Sequence, residues 1–305
     1  MRRENKRRAM MSALSITLFC GVAHLVAILS PYYREDKNGE FARVKTRPDL
    51  PTSDTIRSAS QRDEAFILSL AAVRNRPMRT AAEVFKEAGF VFSKPAGQVS
   101  VDSPYGKVLY DLASSPHVSL VLETGTWDGS GSSLALAKGL KSSSGMLFTI
   151  EANEQKWLEA ENNLAPYPVK CLLGIGVDVT QLPASSEVEE TGGVEGTAVE
   201  TWKQWLEGEK AVAQSYPVGL IKPICERYRV DLVHIDGAEF AGPAELVSVR
   251  SNCKDVRYIA LDDTKVFKNM LNYASLLADP DWEVYKENQT DRHGWAVFFN
   301  RTATF

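Results

Sequence analysis

Short runs of β-branched residues alternate with helical stretches from about residue 104 onward, and this alternation constrains the fold more than any other feature. Alternating strands and helices predict a parallel sheet with helices on both faces, because each parallel strand must be reached by a crossover. Ligands of such sheets bind beyond the carboxyl ends of the strands. We therefore predict a doubly wound α/β domain over residues 104–305, with functional residues where its strands end.

An acidic insertion interrupts this pattern. The predicted strands cover residues 118–123, 146–151, 169–174, 230–236 and 257–262, and a closing antiparallel pair covers 282–285 and 295–300. The predicted helices cover residues 132–140, 154–164, 241–251 and 265–278. The insertion, residues 185–214, combines a glycine-containing loop with an amphipathic helix around residues 202–206. A solvated surface excursion is the favoured interpretation, and a lid over a site is the alternative.

The N-terminal region predicts a membrane anchor. Residues 9–29 form an apolar run of 21 residues (29 − 9 + 1), and a helix needs about 20 to cross a bilayer. Residues 1–8 carry five basic side chains against one acidic side chain, which predicts a cytoplasmic N-terminus. We therefore predict a basic tip over 1–8, a signal anchor over 9–30 and a stem with short helices over 31–103. A cleaved signal peptide is the alternative.

This orientation places the folded domain in the lumen of the endoplasmic reticulum or Golgi. Asn288 and Asn300 each begin a glycosylation acceptor triplet, which agrees with a luminal domain. Four cysteines without a C-x-x-C pair predict neither a zinc site nor a disulfide framework, and an unpaired thiol favours a reducing compartment instead. The net charge of −4 gives no reason to expect a nucleic-acid partner.

A glycine-rich turn follows the first predicted strand. Residues 121–132 read Val-Leu-Glu-Thr-Gly-Thr-Trp-Asp-Gly-Ser-Gly-Ser, a strand that ends in an acid and leads through glycines into a helix. Glycines let the backbone approach a ligand, and a helix N-terminus offers free N–H groups. The Gly-x-x-x-Gly spacing differs from the Gly-x-Gly-x-x-Gly of dinucleotide cradles, which argues against a nicotinamide-dependent oxidoreductase. A tight turn without a ligand is the structural alternative.

Acidic residues also end the later strands. Glu151 ends the second strand, where a carboxylate can accept hydrogen bonds from both hydroxyls of a ribose. Asp236, Asp262 and Asp263 end two further strands, and three carboxylates at one edge repel unless a cation or donors lie between them. Oxygen ligands of this kind suit Mg²⁺. We favour a metal site here, and capping of the following helices is the alternative.

Together these motifs resemble the class I S-adenosylmethionine-dependent methyltransferases, and within them the catechol-type O-methyltransferases and methyltransferase domain family 24. The resemblance covers residues 104–300 and implies a mostly parallel, seven-stranded, Rossmann-like sheet that binds S-adenosylmethionine. The cofactor-binding residues that it implies are Glu123, Gly125, Thr126, Gly129, Glu151, Asp178 and Asp236. The metal ligands that it implies, for Mg²⁺, are Asp236, Asp262 and Asp263.

One departure from the family concerns the general base. Catechol-type enzymes carry a lysine, and many relatives a histidine, three residues after the first metal aspartate, whereas this chain has Glu239. We predict O-methyl transfer to a hydroxyl of a small molecule, glycan or lipid, with Asp236 and Glu239 as the catalytic residues and Glu239 as the proton acceptor. The alternative is a membrane-tethered, non-catalytic binding module that keeps the fold. The expected partners are that acceptor and, through residues 9–30, a membrane.

Overall fold

The computed structural model describes residues 99–194 and 197–303. The predicted tip and anchor, and the stem up to residue 98, lie outside the described residues. Within the described part of the chain, no helix combines the length and the apolar character needed to cross a membrane.

A seven-stranded sheet organises the described chain. Its strands are β1 (Leu120–Thr124), β2 (Met146–Glu151), β3 (Val169–Leu173), β4 (Leu232–Ile235), β5 (Tyr258–Asp262), β6 (Trp282–Asn288) and β7 (Trp295–Asn300). Their spatial order is β3-β2-β1-β4-β5-β7-β6. All neighbouring pairs among β1 to β5 are parallel, and β7 pairs antiparallel with both β5 and β6. The predicted doubly wound sheet and its antiparallel closing pair are confirmed.

Helices connect the strands. They are α1 (Pro104–Ala113), α2 (Ser132–Ser143), α3 (Glu154–Leu164), α4 (Ser185–Glu190), α5 (Val199–Ser215), α6 (Ile221–Arg227), α7 (Gly242–Asn252) and α8 (Phe267–Ala278), with a 3₁₀ turn at Val179–Gln181. The four crossover helices predicted from the sequence match α2, α3, α7 and α8 to within three residues at each end. The structure adds α1, α4 and α6, which the sequence pattern did not predict.

The core lies on both faces of the sheet. Successive side chains of a strand point to opposite faces, so Val121 packs into one apolar cluster and Leu122 into the other. The same division separates Leu232 from Val233 on β4. Every residue of β1 and β4 is buried. Apolar residues therefore follow one another at the start of each strand instead of alternating with polar ones, as in parallel strands covered by helices.

A disulfide joins Cys225 on α6 to Cys253 at the end of α7, and both residues are buried. Their Cα atoms lie 4.6 Å apart. The expectation that the cysteines form no disulfide is wrong, because the pairing depends on how α6 and α7 pack and leaves no local spacing signal. Cys171 on β3 is free.

Candidate functional site

A cavity of about 390 Å³ opens beyond the carboxyl ends of β1, β2 and β4. This is the edge of the sheet at which the sequence predicts a ligand. Three of the predicted cofactor-binding residues line the cavity, namely Gly125, Glu151 and Asp236. Four others do not line it, namely Glu123, Thr126, Gly129 and Asp178. The predicted set therefore divides into residues that line the cavity and residues that do not.

The glycine turn brings the ends of three strands together. Gly125 has φ +86°, a conformation that side-chain-bearing residues rarely adopt. A Cβ at this position would lie 1.9 Å from the carbonyl oxygen of Asp236, so no side chain fits. The Gly125 amide donates to the Ile150 carbonyl at 2.9 Å. The turn is thus in contact with β2 on one side and with the end of β4 on the other.

Glu151, which is predicted to bind the ribose, lies in the wall of the cavity. Its Oε2 accepts from the Trp127 amide and its Oε1 from the Asn153 amide, each at 2.7 Å. Burial raises the pKa of Glu151 to about 7, although these amide hydrogen bonds act in the opposite direction. Asn153 also caps α3 by accepting from the Lys156 amide at 3.1 Å. The carboxylate is therefore fixed between the glycine turn and the start of α3.

Glu123 does not face the cavity but is fully buried beneath the glycine turn. Its carboxylate accepts from the Ser132 hydroxyl at 2.8 Å, from the Thr149 hydroxyl at 2.8 Å and from the Ser133 hydroxyl. Nδ1 of His234 lies 3.0 Å from its Oε1. The assignment of Glu123 to cofactor binding stays a prediction: its oxygens hold the start of α2 against the sheet, and it does not line the cavity.

The other three residues that do not line the cavity also have local partners. The Thr126 hydroxyl is hydrogen-bonded to the hydroxyl of Thr149. A Cβ at Gly129 would lie 2.9 Å from Cδ1 of Leu164 on α3. Asp178 caps the 3₁₀ turn by accepting from the Thr180 amide at 2.9 Å. Each of them shapes the backbone near the cavity without lining it.

The acidic insertion covers the cavity. Trp205, Glu209 and Val212 on α5 line it. One turn away on the same helix, Trp202 is buried with its ring centroid 6.4 Å from that of Phe240. The favoured interpretation of this segment as a solvated excursion is wrong, and the lid alternative describes its position. A helix with two tryptophans is too apolar on one face to lie in solvent alone.

Three carboxyl groups on the lid side and floor of the cavity have raised pKa values. Burial raises the pKa of Glu209 to about 8, and its Oε2 accepts from the Phe240 amide at 3.0 Å. Burial raises the pKa of Glu245 on α7 to about 7, and its Oε2 accepts from the Thr124 hydroxyl at 2.9 Å. Burial also raises the pKa of Glu239, whose Oε1 is buried without a hydrogen-bond partner. Glu209 and Glu245 can therefore take up or release protons near neutral pH.

The predicted carboxylate cluster is present, and two cations lie within it. Ligand oxygens of Asp236, Asp262 and Asp263 fall within 4.8 Å of one another. Nζ of Lys268 on α8 lies 2.9 Å from Asp236 Oδ1 and 2.9 Å from Asp263 Oδ2. Arg292, in the turn between β6 and β7, lies 2.9 Å from Asp262 Oδ2 and 3.6 Å from Asp263 Oδ1. The convergence of the three acids is confirmed.

The pKa directions follow from these pairs. Burial would lower the pKa of Lys268, but Asp236 and Asp263 raise it well above its ordinary range, so the ammonium keeps its proton. Burial would raise the pKa of Asp263, but Lys268 outweighs burial and the pKa is lowered. Burial is the largest cause that raises the pKa of Asp262 to about 7, and the negative charges of Asp236 and Asp263 act in the same direction. The oxygens suit Mg²⁺ in kind, but as placed they already hold two cations and do not fit a divalent ion among them.

Several cavity and cluster residues were missed by reading the sequence. Lys268 and Glu245 lie inside crossover helices, where a charged residue usually faces solvent. Arg292 belongs to a hairpin turn rich in polar residues. Only Glu209 offered a signal, since it shares a helical face with Trp205 and Trp202 at intervals of three and four residues.

Comparisons with known proteins find fold likeness in solved structures. No protein-family model matches this chain, and no curated protein matches it. The chain is similar to a methyltransferase from Geobacter sulfurreducens, with 14% identity and a TM-score of 0.43, over 80% of this chain and 98% of that one. It is also similar to an O-methyltransferase from Bacillus cereus solved with SAH, with 19% identity and a TM-score of 0.43, over 77% and 97%. A third similar structure is the O-methyltransferase TomG from Streptomyces achromogenes in complex with SAM, with 16% identity and a TM-score of 0.41, over 77% and 96%.

Proposed function

We propose that this chain is an S-adenosylmethionine-dependent methyltransferase that methylates a hydroxyl oxygen of a small molecule. The observation that carries the proposal is the cavity at the carboxyl edge of the sheet, where the Gly125 turn and Glu151 occupy adjacent strand ends. This arrangement lets the backbone approach a nucleoside and places a carboxylate where it can accept hydrogen bonds from the ribose hydroxyls. It agrees with the motif resemblance described above.

The charge of the cavity supports a cationic ligand. Its lining contains five carboxyl groups and one ammonium group, that of Lys268. S-adenosylmethionine carries a sulfonium and an ammonium against one carboxylate, so it brings net positive charge into an acidic cavity. Such a ligand favours the ionised forms of Glu151, Glu209 and Glu245, whose pKa values burial raises to about 7, 8 and 7.

Bound S-adenosylmethionine supplies a methyl group on a positively charged sulfur, which keeps the electron pair of the broken bond while the acceptor oxygen gains the methyl and loses its proton. Glu239 is placed to accept that proton, because its Oε1 has no other hydrogen-bond partner. Lys268 keeps its own proton and contributes positive charge beside a developing oxyanion. The helix α5 covers the cavity with Trp205, which limits the access of water.

For location and acceptor, we propose a domain anchored through residues 9–30 in the membrane of the endoplasmic reticulum or Golgi and facing the lumen. The disulfide between Cys225 and Cys253 supports this proposal, because disulfides persist in oxidising compartments. A glycan or lipid hydroxyl is then an acceptor within reach, beside free small molecules.

The proposal is tested by titrating the full-length chain, purified in mild detergent, with S-adenosylmethionine in a calorimeter. We expect a micromolar dissociation constant, and at least about tenfold weaker binding for Glu151→Gln, a loss of about 1.4 kcal/mol. Glu226→Gln, on an exposed position of α6, is the matched control and should bind as the wild type does. Folded protein that binds no S-adenosylmethionine would refute the proposal. Binding without methyl transfer to any hydroxyl compound in a radiolabelled acceptor screen would favour the non-catalytic module instead.

A further inference from the structure

We propose that Lys268 and Arg292 take the place of a divalent cation among Asp236, Asp262 and Asp263, so that the site works without a metal ion. That the site catalyses methyl transfer rests on the proposed function, whereas the ion pairs among these five side chains do not depend on it. The carboxylate cluster predicts a metal ion, whereas the structure places an ammonium and a guanidinium group among the three carboxylates.

The charges within the cluster nearly cancel. Three carboxylates carry three negative charges when ionised, and one ammonium and one guanidinium carry two positive charges. Nζ of Lys268 lies 2.9 Å from an oxygen of Asp236 and 2.9 Å from an oxygen of Asp263. It therefore bridges the ends of β4 and β5, as a metal ion bound by both carboxylates would. Arg292 pairs with Asp262, which is 1% exposed. Each carboxylate thus has a cationic partner from the protein itself.

A divalent ion would compete with Lys268 for the same oxygens. Mg²⁺ binds carboxylate oxygens at about 2.0–2.1 Å, and Nζ of Lys268 already lies 2.9 Å from two of them. An ion bound between Asp236 and Asp263 would therefore stand next to the ammonium, and like charges at that separation repel strongly in a partly buried site. The Lys268 side chain is only 13% exposed, so solvent screens this repulsion weakly.

The backbone also favours the ion pairs. Asp263 has φ +55°, a left-handed conformation that aspartate adopts infrequently. This turn follows β5 directly and leads into α8, whose second residue is Lys268. The turn thereby presents Asp263 Oδ2 to Lys268 and leaves Oδ1 3.6 Å from Arg292. The same residue serves both cations, which is an arrangement that a metal would have to disrupt.

Mn²⁺ is a suitable probe, since it prefers the same ligands as Mg²⁺ and its free form is measured directly by electron paramagnetic resonance. The full-length chain in detergent is titrated with Mn²⁺ as wild type, as Lys268→Met and as Lys265→Met. Lys265 is exposed and three residues from Lys268, so it controls for the loss of one positive charge nearby. We expect wild type and Lys265→Met to bind Mn²⁺ more weakly than about 1 mM, and Lys268→Met to bind at least about tenfold more tightly.

The site of any gained binding is identified by adding Asp263→Asn to Lys268→Met, which should abolish it. Wild-type protein that binds Mn²⁺ below about 100 µM, with loss of binding in Asp263→Asn, would overturn the proposal. Folded Lys268→Met that gains no Mn²⁺ binding would also overturn it. If Lys268→Met does not fold, Lys268→Gln replaces it in the same titration and is judged by the same two outcomes. S-adenosylmethionine is absent throughout, so failure of the proposed function would leave these results unchanged.

Discussion

Nδ1 of His234 lies 3.0 Å from Oε1 of Glu123, and neither side chain is exposed to solvent. This pair joins β4 to β1 directly beneath the glycine turn. Glu123 also receives hydroxyl hydrogen bonds from the start of α2 and from β2. One buried carboxylate thus holds three strands and a helix at the floor of the candidate site.

Removing that carboxylate should destabilise the fold. Glu123→Ala removes the buried partner of His234 and an acceptor that three hydroxyl groups share, and breaking a buried pair from one side costs about 3–5 kcal/mol. Glu283→Ala is the control, because its pair with Arg301 is exposed and such pairs contribute about 0–1 kcal/mol. Urea denaturation monitored by tryptophan fluorescence measures both values. A loss of less than about 1 kcal/mol in Glu123→Ala would contradict the role assigned to this residue.

Stability without ligand should fall as the pH rises from 5.5 to 8.5. Burial raises the pKa values of Glu151, Glu245 and Glu209 from 4.5 to about 7, 7 and 8. The folded state therefore binds protons that the unfolded state releases, and the stability from this difference is present below 4.5 and lost as pH rises through 7 to 8. The lowered pKa of Asp263 acts in the opposite sense, below this window. Thermal unfolding at several pH values measures the trend.

The variant Glu209→Gln tests how much of this pH dependence of stability comes from one carboxyl group. Glu209→Gln removes a carboxyl that ionises near pH 8 and should flatten the upper part of the curve. Glu207→Gln changes an exposed residue of the same helix and serves as the control. An unfolding temperature that rises with pH, or a slope that Glu209→Gln leaves unchanged, would show that these carboxyl groups do not control stability in this range.

Gly125→Ala should abolish ligand binding at the cavity. The added Cβ would lie 1.9 Å from the carbonyl oxygen of Asp236, and the backbone has φ +86°. Gly219→Ala is the matched control, because Gly219 has φ +72° but no atom lies within 4 Å of the added Cβ. Both variants bear the conformational strain, about 1–2 kcal/mol, and only Gly125→Ala also displaces the end of β4. Calorimetric titration with S-adenosylmethionine distinguishes them, and equal affinities would contradict this reasoning.

Reduction of the disulfide between Cys225 and Cys253 should lower stability by about 3.5 kcal/mol, the loop-closure value for cysteines 28 residues apart. The variant Cys225→Ser/Cys253→Ser should lose as much without reductant. Cys171→Ala is the control for a cysteine outside the disulfide.

Burial raises the pKa of the Cys171 thiol to about 12, so it should not react with a thiol reagent in the folded state at pH 8. Rapid labelling of Cys171 in folded protein would contradict this.

Reading the sequence was sufficient for the sheet and for the edge at which the site lies. Asp236, Asp262 and Asp263 each end a strand, and the ends of parallel strands meet, so their convergence followed from the order of elements alone. Lys268 could not be found in this way. It is the second residue of α8, and whether it points to solvent or to Asp236 depends on how that helix is rotated against the sheet.

Glu123 and Glu151 show a second limit of prediction from the sequence. Glu123 ends a strand just as Glu151 does, and both were predicted to bind the cofactor. The structure separates them because Glu123 meets the hydroxyl groups of Ser132 and Ser133, whereas Glu151 meets backbone amides of the turn beside the cavity. Such partners arise from tertiary packing, and no spacing along the chain encodes them.

The place of Arg292 along the chain has a consequence for synthesis. Asp262 and Asp263 leave the ribosome before Arg292 does, and Asp262 has its partner only after β6 has formed and the chain has turned toward β7. Until then, mutual repulsion opposes docking of β5 beside β4 with all three carboxylates ionised. A nascent chain cut before the last hairpin should therefore hold β5 beside β4 less firmly than the complete domain does.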